Sequence, residues 1–479
     1  MKRVLFACLL ASLPVLGGQS FVNIGSDRQL FLDRGLIDEM RGAEFELHRP
    51  VLREEVLRYE KPWEGDTSWH PIVIRDGDRF RMWYRVSQGN HDGVAQTAYA
   101  ESKDGIGWQR PSLGLVESQG STDNNLVWPT PGNQGINMCV FKDPNPGVPE
   151  GERYKAIVQT RDIHGLVSAD GIRWKPIQPD PLIRRLQDQV NDGPHAAFWD
   201  PWQSRYVIYK RGWWGSTPEK QLDASGTSGE ANRTIRRFTS PDFRTWDGPV
   251  WVEIPFGTQP REQFYSSAAI PYPWARNVYL MFPMRFILDR GDEGWPFPGL
   301  SDIALLSSRD GLRWQRTFRE AWIRPGFDEN NWHERAMSFG SGLVRTAPGE
   351  LSMYMTHNYR TPHAHIRRVT LRQDGFISVH APDLGGELTT RPLKFKGSRL
   401  RINYSTSVTG SVRVEVLNHF SRPVLGFNLE DSSEIYGDEL DRVVNWGEKE
   451  DLSELEGHVV RLRFVLRDAN LYSFRFGAP

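Results

Sequence analysis

A short pattern, Ser-x-Asp-x-x-x-Trp, returns along this chain every 64 to 72 residues, and a repeat of fixed length restricts the fold more tightly than any overall composition. It reads SKDGIGW at Ser102-Asp104-Trp108, SADGIRW at Ser168-Asp170-Trp174, SPDFRTW at Ser240-Asp242-Trp246 and SSRDGLRW at Ser308-Asp310-Trp314, with a degraded copy at Asp374-Gly375-Phe376. Asp-Gly is turn chemistry, because the carboxylate can accept local backbone N–H groups and glycine adopts positive φ without a steric penalty. The Trp then anchors the strand that follows.

A longer unit surrounds each copy. Its first strands begin as DTSWHPIVI (from Asp66), NQGINMCVF (from Asn133), NDGPHAAFW (from Asn191), REQFYSSAAI (from Arg261) and HERAMSFGSGLV (from His333). The second strands follow as RFRMWYR, RYKAIVQTR, RYVIYKR, VYLMFPMR and ELSMYMTH. One such unit cannot bury its own apolar face, so five in series predict an all-β chain with a five-bladed β-propeller over residues 21–380. The strand-like segment 29–50 is expected to add the outer strand that closes the ring and removes its open edge. After His380 the repeat gives way to short alternating strands, LRINYST, SVRVEVL, VVRLRFVL and LYSFRF, which predict a β-sandwich over 381–479.

The first 20 residues carry Lys2-Arg3, an apolar run and small residues at Gly17 and Gly18, the pattern of a secretory signal peptide. The expected location is therefore secreted or periplasmic. Removal of the leader would leave Cys139 alone, so no intramolecular disulfide is expected. A net charge of -1 argues against nucleic-acid and membrane-surface binding, which require a basic excess. A monomer is expected.

Candidate chemistry gathers at the strand starts: Glu64 and Asp66, Asn133 and Asn137, Asp192 and His195, Glu262, and His333, Glu334 and Arg335. Carboxylates brought together from distant segments push their pKa values apart, so that one can serve as an acid while another stays ionised. Glycoside hydrolysis needs such a pair. Glu64 and Asp66 lie two residues apart and face the same way if extended, so both stand as candidates.

The second strands end in a basic residue each time, at Arg85, Arg161, Arg211, Arg285 and His357. Such a ring has two readings: guanidinium forks for the carboxylate or sulfate of an anionic glycan, or partners that hold neighbouring acids ionised. His70, His195, His333 and His357 match no metal-ligand spacing and read as hydrogen-bond donors to sugar hydroxyls, so no metal site is expected. Trp69, Trp213, Trp214, Trp295 and Trp332 suit stacking on sugar faces, and the inter-blade core is their alternative place.

The chain resembles the five-bladed propeller glycoside hydrolases of families 32 and 43, and its C-terminal part resembles the sandwich of family 32. LFLDRGLID, PWEG, FKDPNP, AFWDP and the closing LYSFRF resemble a group of uncharacterised bacterial exported proteins placed near family 32 by analogy. The resemblance implies a catalytic trio of Asp66 or Glu64 as nucleophile or base, Asp192 as transition-state stabiliser and Glu262 as general acid. It implies an oligo- or polysaccharide substrate and no required cofactor, with a structural calcium in some relatives. The Asn-Asp-Pro-Asn-Gly motif of the fructan-cleaving enzymes is absent from the first unit, which leaves the sugar open. A glycoside phosphorylase and a non-catalytic glycan-binding propeller are the rival readings.

Overall fold

The computed structural model describes residues 21–87, 95–129, 137–160, 162–184, 195–214, 232–255, 262–291 and 294–478. The signal-peptide reading, Asn133, Arg161 and Asp192 fall outside these residues. The regular structure of the described chain is β-strand apart from four single-turn 3-10 helices. It divides into two compact units, one of residues 46–378 and one that combines the N-terminal residues up to 45 with 379–479.

Residues 46–378 form a succession of small antiparallel sheets. The first contains Trp69–Asp76, Arg79–Ser87, Ala95–Ser102 and Leu126–Trp128. The second contains Cys139–Lys142, Tyr154–Gln159, Ile163–Ser168 and Lys175–Pro176. The third contains Ala196–Asp200, Arg205–Trp214, Asn232–Ser240 and Asp247–Trp251.

The fourth set is split into two hydrogen-bonded halves, one holding Glu262–Phe264, Met284–Ile287 and Leu300–Ile303 and the other Tyr279–Met281 and Leu306–Ser308. Pro283 sits at the break and has no N–H to give the ladder. The last sheet orders Ser338–Phe339, Glu350–His357, His365–Arg372 and Val51–Arg58. Its outer strand therefore comes from the N-terminal side, paired as His365 with Arg58 and Ile366 with Leu57.

That outer strand is not the segment expected. Residues 29–50 were assigned the closing role, whereas most of them build the other unit. Val22–Gly25 pairs in parallel with Leu393–Phe395, Gln29 and Leu30 pair with Phe474 and Ser473, and Ile37–Arg41 pairs with Gly386–Thr390. The physical reason is Phe31, fully buried with its ring 5.6 Å from Phe474 and 6.2 Å from Phe464. The same unit is organised by two long strands, Arg399–Asn418 and Val459–Gly477, which pair along most of their lengths within one ten-stranded sheet.

The repeated motif is a local hydrogen-bond knot. Ser102 Oγ donates to Asp104 Oδ1 and accepts from the N–H of Gly105 (2.9 Å each), while Asp104 Oδ1 accepts from Ile106 N (2.8 Å) and Gly107 N (2.9 Å). The same pattern recurs at Ser168-Asp170 and Ser308-Asp310. The Gly107 and Ile106 N–H groups, in that order, hold the Asp104 carboxyl below its ordinary range.

An aromatic tip from the preceding sheet then docks on the knot. Trp83 Nε1 donates to Gly171 O (2.8 Å), Tyr209 Oη to Gly311 O (2.6 Å) and Tyr354 Oη to Gly105 O (2.7 Å). The third knot has Phe243 at the glycine position, with φ +64°, and its clasp is apolar, Phe243 lying 5.7 Å from Phe141.

The last sheet also meets the first through backbone. Ser341 N donates to Pro71 O and Val73 N to Ser341 O, both at 2.9 Å. The flanking glycines are obligatory, since a Cβ on Gly342 (φ +109°) would lie 1.9 Å from Val73 O and one on Gly340 would lie 2.1 Å from Pro71 O. Gly342→Ala is expected to destabilise this unit by about 3 kcal/mol, read as a lowered urea midpoint; an unchanged midpoint would show that the contact tolerates separation.

Candidate active site

The contact between the last and first sheets also brings together the residues with the most chemistry. Trp69 and His70 open the first strand, and Tyr359 and Arg360 follow the strand that ends at His357. The Trp69 ring lies 5.2 Å from that of Tyr359, and Arg360 N donates to Asp66 O at 2.8 Å. Arg85, across the ladder from Trp69, places its guanidinium 6.0 Å from the Trp69 ring centre. From Arg360 the network continues to Glu334, which is gripped by Arg360 and by Arg335. Arg335 Nη1 donates to Tyr265 Oη (2.9 Å). Tyr265 in turn lies beneath three cations, with Arg211 at 4.2 Å, Arg233 at 5.3 Å and Arg335 at 5.4 Å from its ring centre. Arg233 also covers Trp213 at 4.3 Å and donates to Gln263.

Backbone strain collects in the same place. His70 (φ +58°), Arg335 (φ +55°), Asn358 (φ +56°) and Arg360 (φ +67°) all occupy the left-handed region. Asn tolerates it; for His and Arg it costs on the order of 1–3 kcal/mol each, sustained only where surrounding contacts over-determine the backbone.

The carboxylates expected to cooperate have different surroundings. Glu64 is enclosed: its oxygens accept from Tyr84 Oη (2.6 Å), from Arg110 Nε (3.0 Å) and Nη2 (3.1 Å), and from the N–H groups of Glu60 and Lys61 (3.1 Å each). Glu262 is likewise engaged, meeting Arg316 through two contacts of 2.8 Å and Arg285 at 3.5 Å, and its side chain is 2% exposed. Asp66 differs from both. Its Oδ1 is buried and meets no hydrogen-bond donor among the described residues. Asp66 is thus the one of the three described candidates whose carboxylate is not consumed by the fold.

The expected ring of cations is partly realised. Arg85 and Arg211 join the network, and Arg85 has no carboxylate partner among the described residues. Arg285 departs from it. Its Nε donates to Asp302 Oδ1 (2.7 Å) and its Nη1 to Arg319 O (3.0 Å), because strand alternation sends Phe286 towards Tyr265 and Arg285 the other way.

His357 is also diverted. Buried against His365, with Asn331 Nδ2 3.1 Å from its Nδ1, it is pushed down to about 3 chiefly by loss of solvent. His195 is buried and bonded to Gln159, to which Lys210 also donates at 3.1 Å. Asn137 is buried, and its Oδ1 meets no donor among the described residues.

Several readings of aromatics change. Trp69 and Trp213 are buried rather than exposed, Trp295 stacks on His333 at 3.9 Å, and Trp332 alone of the described four is exposed. The side chain of Trp214 lies outside the description. Sequence reasoning missed Tyr265, Arg233 and Arg360. Tyr265 directly follows Phe264 in a segment whose Glu drew the attention, and Arg233 starts a third strand, a position the strand-start rule did not survey.

No family model matches the chain. It is 25% identical over 160 residues to an uncharacterized protein of Mycobacterium tuberculosis (strain CDC 1551 / Oshkosh), covering 31% of this chain and 48% of that one. A second uncharacterized protein, from strain ATCC 25618 / H37Rv, is 24% identical over 155 residues, with the same shares. The chain thus spans about half the length of these relatives.

Among solved structures, it is similar to an N-acetylgalactosamine deacetylase from F. plautii in complex with blood group B trisaccharide (TM-score 0.47, 12% identity, 68% of this chain and 95% of that one). It is also similar to a glycoside hydrolase family 43 arabinoxylan arabinofuranohydrolase from Bacillus subtilis in complex with cellotetraose (TM-score 0.41, 13% identity, 87% and 96%). A glycosyl hydrolase from Bacteroides ovatus gives a TM-score of 0.42 at 12% identity over 73% of this chain and 97% of that one. At this identity and overlap such likeness assigns no chemistry.

Burial of imidazoles around the network has a pH consequence. Loss of solvent lowers His70 and His333 to about 4 and His357 to about 3, from 6.5. Between about pH 6.5 and 4 the unfolded chain binds protons that the folded one refuses, so stability is full above pH 6.5 and is lost as pH falls through this window. The urea midpoint should drop steadily between pH 6.5 and 4.5, and His357→Gln should flatten that slope; a midpoint independent of pH there would contradict it.

Proposed function

We propose that this chain is an exported glycoside hydrolase whose 46–378 unit is a five-bladed propeller, with a β-sandwich as its companion, and whose substrate is an anionic glycan. The observation that carries the chemistry is the contrast among carboxylates. Asp66 Oδ1 meets no donor among the described residues, and the Asp66 backbone O accepts from Arg360 N, whereas Glu64 and Glu262 are spent on ion pairs. A carboxylate whose oxygens are occupied by guanidiniums is not placed to hand a proton to a leaving group. We therefore take Asp66 as the nucleophile or base and move the general acid from Glu262 to Asp192, the remaining strand-start carboxyl, which lies outside the described residues. The sequence resemblance to families 32 and 43 supports a pair of this kind, and the leader-like first 20 residues support export.

The anionic character of the substrate is supported by Arg85, which lies over the Trp69 ring and has no carboxylate partner among the described residues. A guanidinium so placed suits the carboxylate of a uronate or a sulfate. The locked state of Glu64 and Glu262 favours the rival reading of a non-catalytic glycan-binding protein, so turnover is the deciding measurement.

Asp66→Asn should lower kcat on uronate-containing or sulfated oligosaccharides by about a thousandfold or more while retaining binding. Release of no reducing ends by the wild type across such substrates would instead favour the binding reading. Glu64→Gln should act on stability: it removes one partner of a buried ion pair and should cost about 3–5 kcal/mol. A Glu64→Gln protein as stable as the parent but inactive would return Glu64 to the chemistry.

A further inference from the structure

Sharing no lining residue with this network, an open cleft of about 580 Å³ in the 46–378 unit includes Arg285, Arg290, Asp302, Arg324, Phe327 and Trp332. Phe327 is fully exposed and Trp332 is 49% exposed, which is unusual for two large rings flanking one depression. They are not on a loose loop. Asp328 accepts from Asn330 N (3.0 Å) to cap the turn Glu329–Asn331, and buried Asn358 donates to Asp328 Oδ2 (2.8 Å). Trp332 Nε1 donates to Gly326 O (2.8 Å), which fixes the ring plane. The fold thus holds the Trp332 ring in one orientation and the backbone that carries Phe327 in a capped turn, an arrangement that lowers the entropy lost on binding.

The charges beside the platform identify the occupant. Arg285 is neutralised by Asp302, but Arg290 and Arg324 have no carboxylate partner among the described residues. Glu320, on the cleft wall, can accept from hydroxyls. A pyranose ring presents C–H groups to an aromatic face and hydroxyls at its edge, and an acidic substituent would meet the two arginines.

We infer that this cleft is a second saccharide-binding site, separate from the Asp66 network, that takes a sugar bearing a carboxylate or sulfate. The choice of a sugar rests on the glycosidase reading; the demand for an anion with an apolar face does not. Calorimetric titration of the full chain with trigalacturonate, a sulfated galactose disaccharide, uncharged trigalactose and triglutamate tests it. Arg324→Ala combined with Phe327→Ala, both at exposed positions, should weaken binding of at least one anionic sugar by tenfold or more, and Asp66→Asn should leave that binding in place. The preferred anion is whichever of the first two probes the double variant loses. The inference is overturned if the double variant binds all probes as the parent does, if trigalactose or triglutamate binds as tightly as the anionic sugars, or if only the Asp66 variant loses binding. Absence of turnover with cleft binding intact would defeat the hydrolase reading alone.

Discussion

The backbone contact between Gly340-Ser341-Gly342 and Pro71–Val73 is the constraint on which the rest of the 46–378 unit depends. Two hydrogen bonds of 2.9 Å hold it, and the space left beside each carbonyl admits no Cβ. Because first and last sheets are joined here, the chain segment before the first strand and the segment after the last unit's second strand become neighbours. That adjacency seats Asp66, Trp69 and His70 against Tyr359 and Arg360. The strained φ values of His70, Arg335 and Arg360 fall in or beside this region. Strain of this kind needs an over-determined frame, and the seam, with the outer strand Val51–Arg58 laid on the same sheet, is that frame.

The repeat has a local and a non-local half, and they were not equally legible. The Ser-Asp-Gly knot is made by residues within a few positions of one another, so its chemistry can be read from the pattern itself. Its docking partners cannot. Trp83 meets Gly171 and Tyr354 meets Gly105, across 88 and 249 positions, and nothing in the spacing says whether the clasp is an indole, a phenol or, at Phe243, a ring contact. The closing strand failed for a related reason. Segments 29–50 and 51–58 are both strand-like, and what separates them is the destination of Phe31, a packing fact that depends on Phe464 and Phe474.

At the candidate site, the strand starts gave Asp66, Glu334 and Arg335 and the ends of the second strands gave Arg85 and Arg211, because those positions follow from strand order. Side-chain direction and distant partners defeated the rest. Glu262 has its guanidinium partner 54 positions later at Arg316, and Arg285 lies one residue from the one that faces Tyr265. A one-residue alternation is enough to exchange a site residue for a structural one.

The contrast between carboxylates also says what kind of surface the network is. Glu64 accepts five hydrogen bonds and Glu262 is paired with arginines, so each is satisfied before any ligand arrives. Asp66 Oδ1 and Asn137 Oδ1 are buried and meet no donor among the described residues. An unmet buried acceptor costs about 1–3 kcal/mol, an expense a fold with nearby donors would ordinarily remove. Arg85, across the ladder from Trp69, is likewise without a carboxylate partner among the described residues.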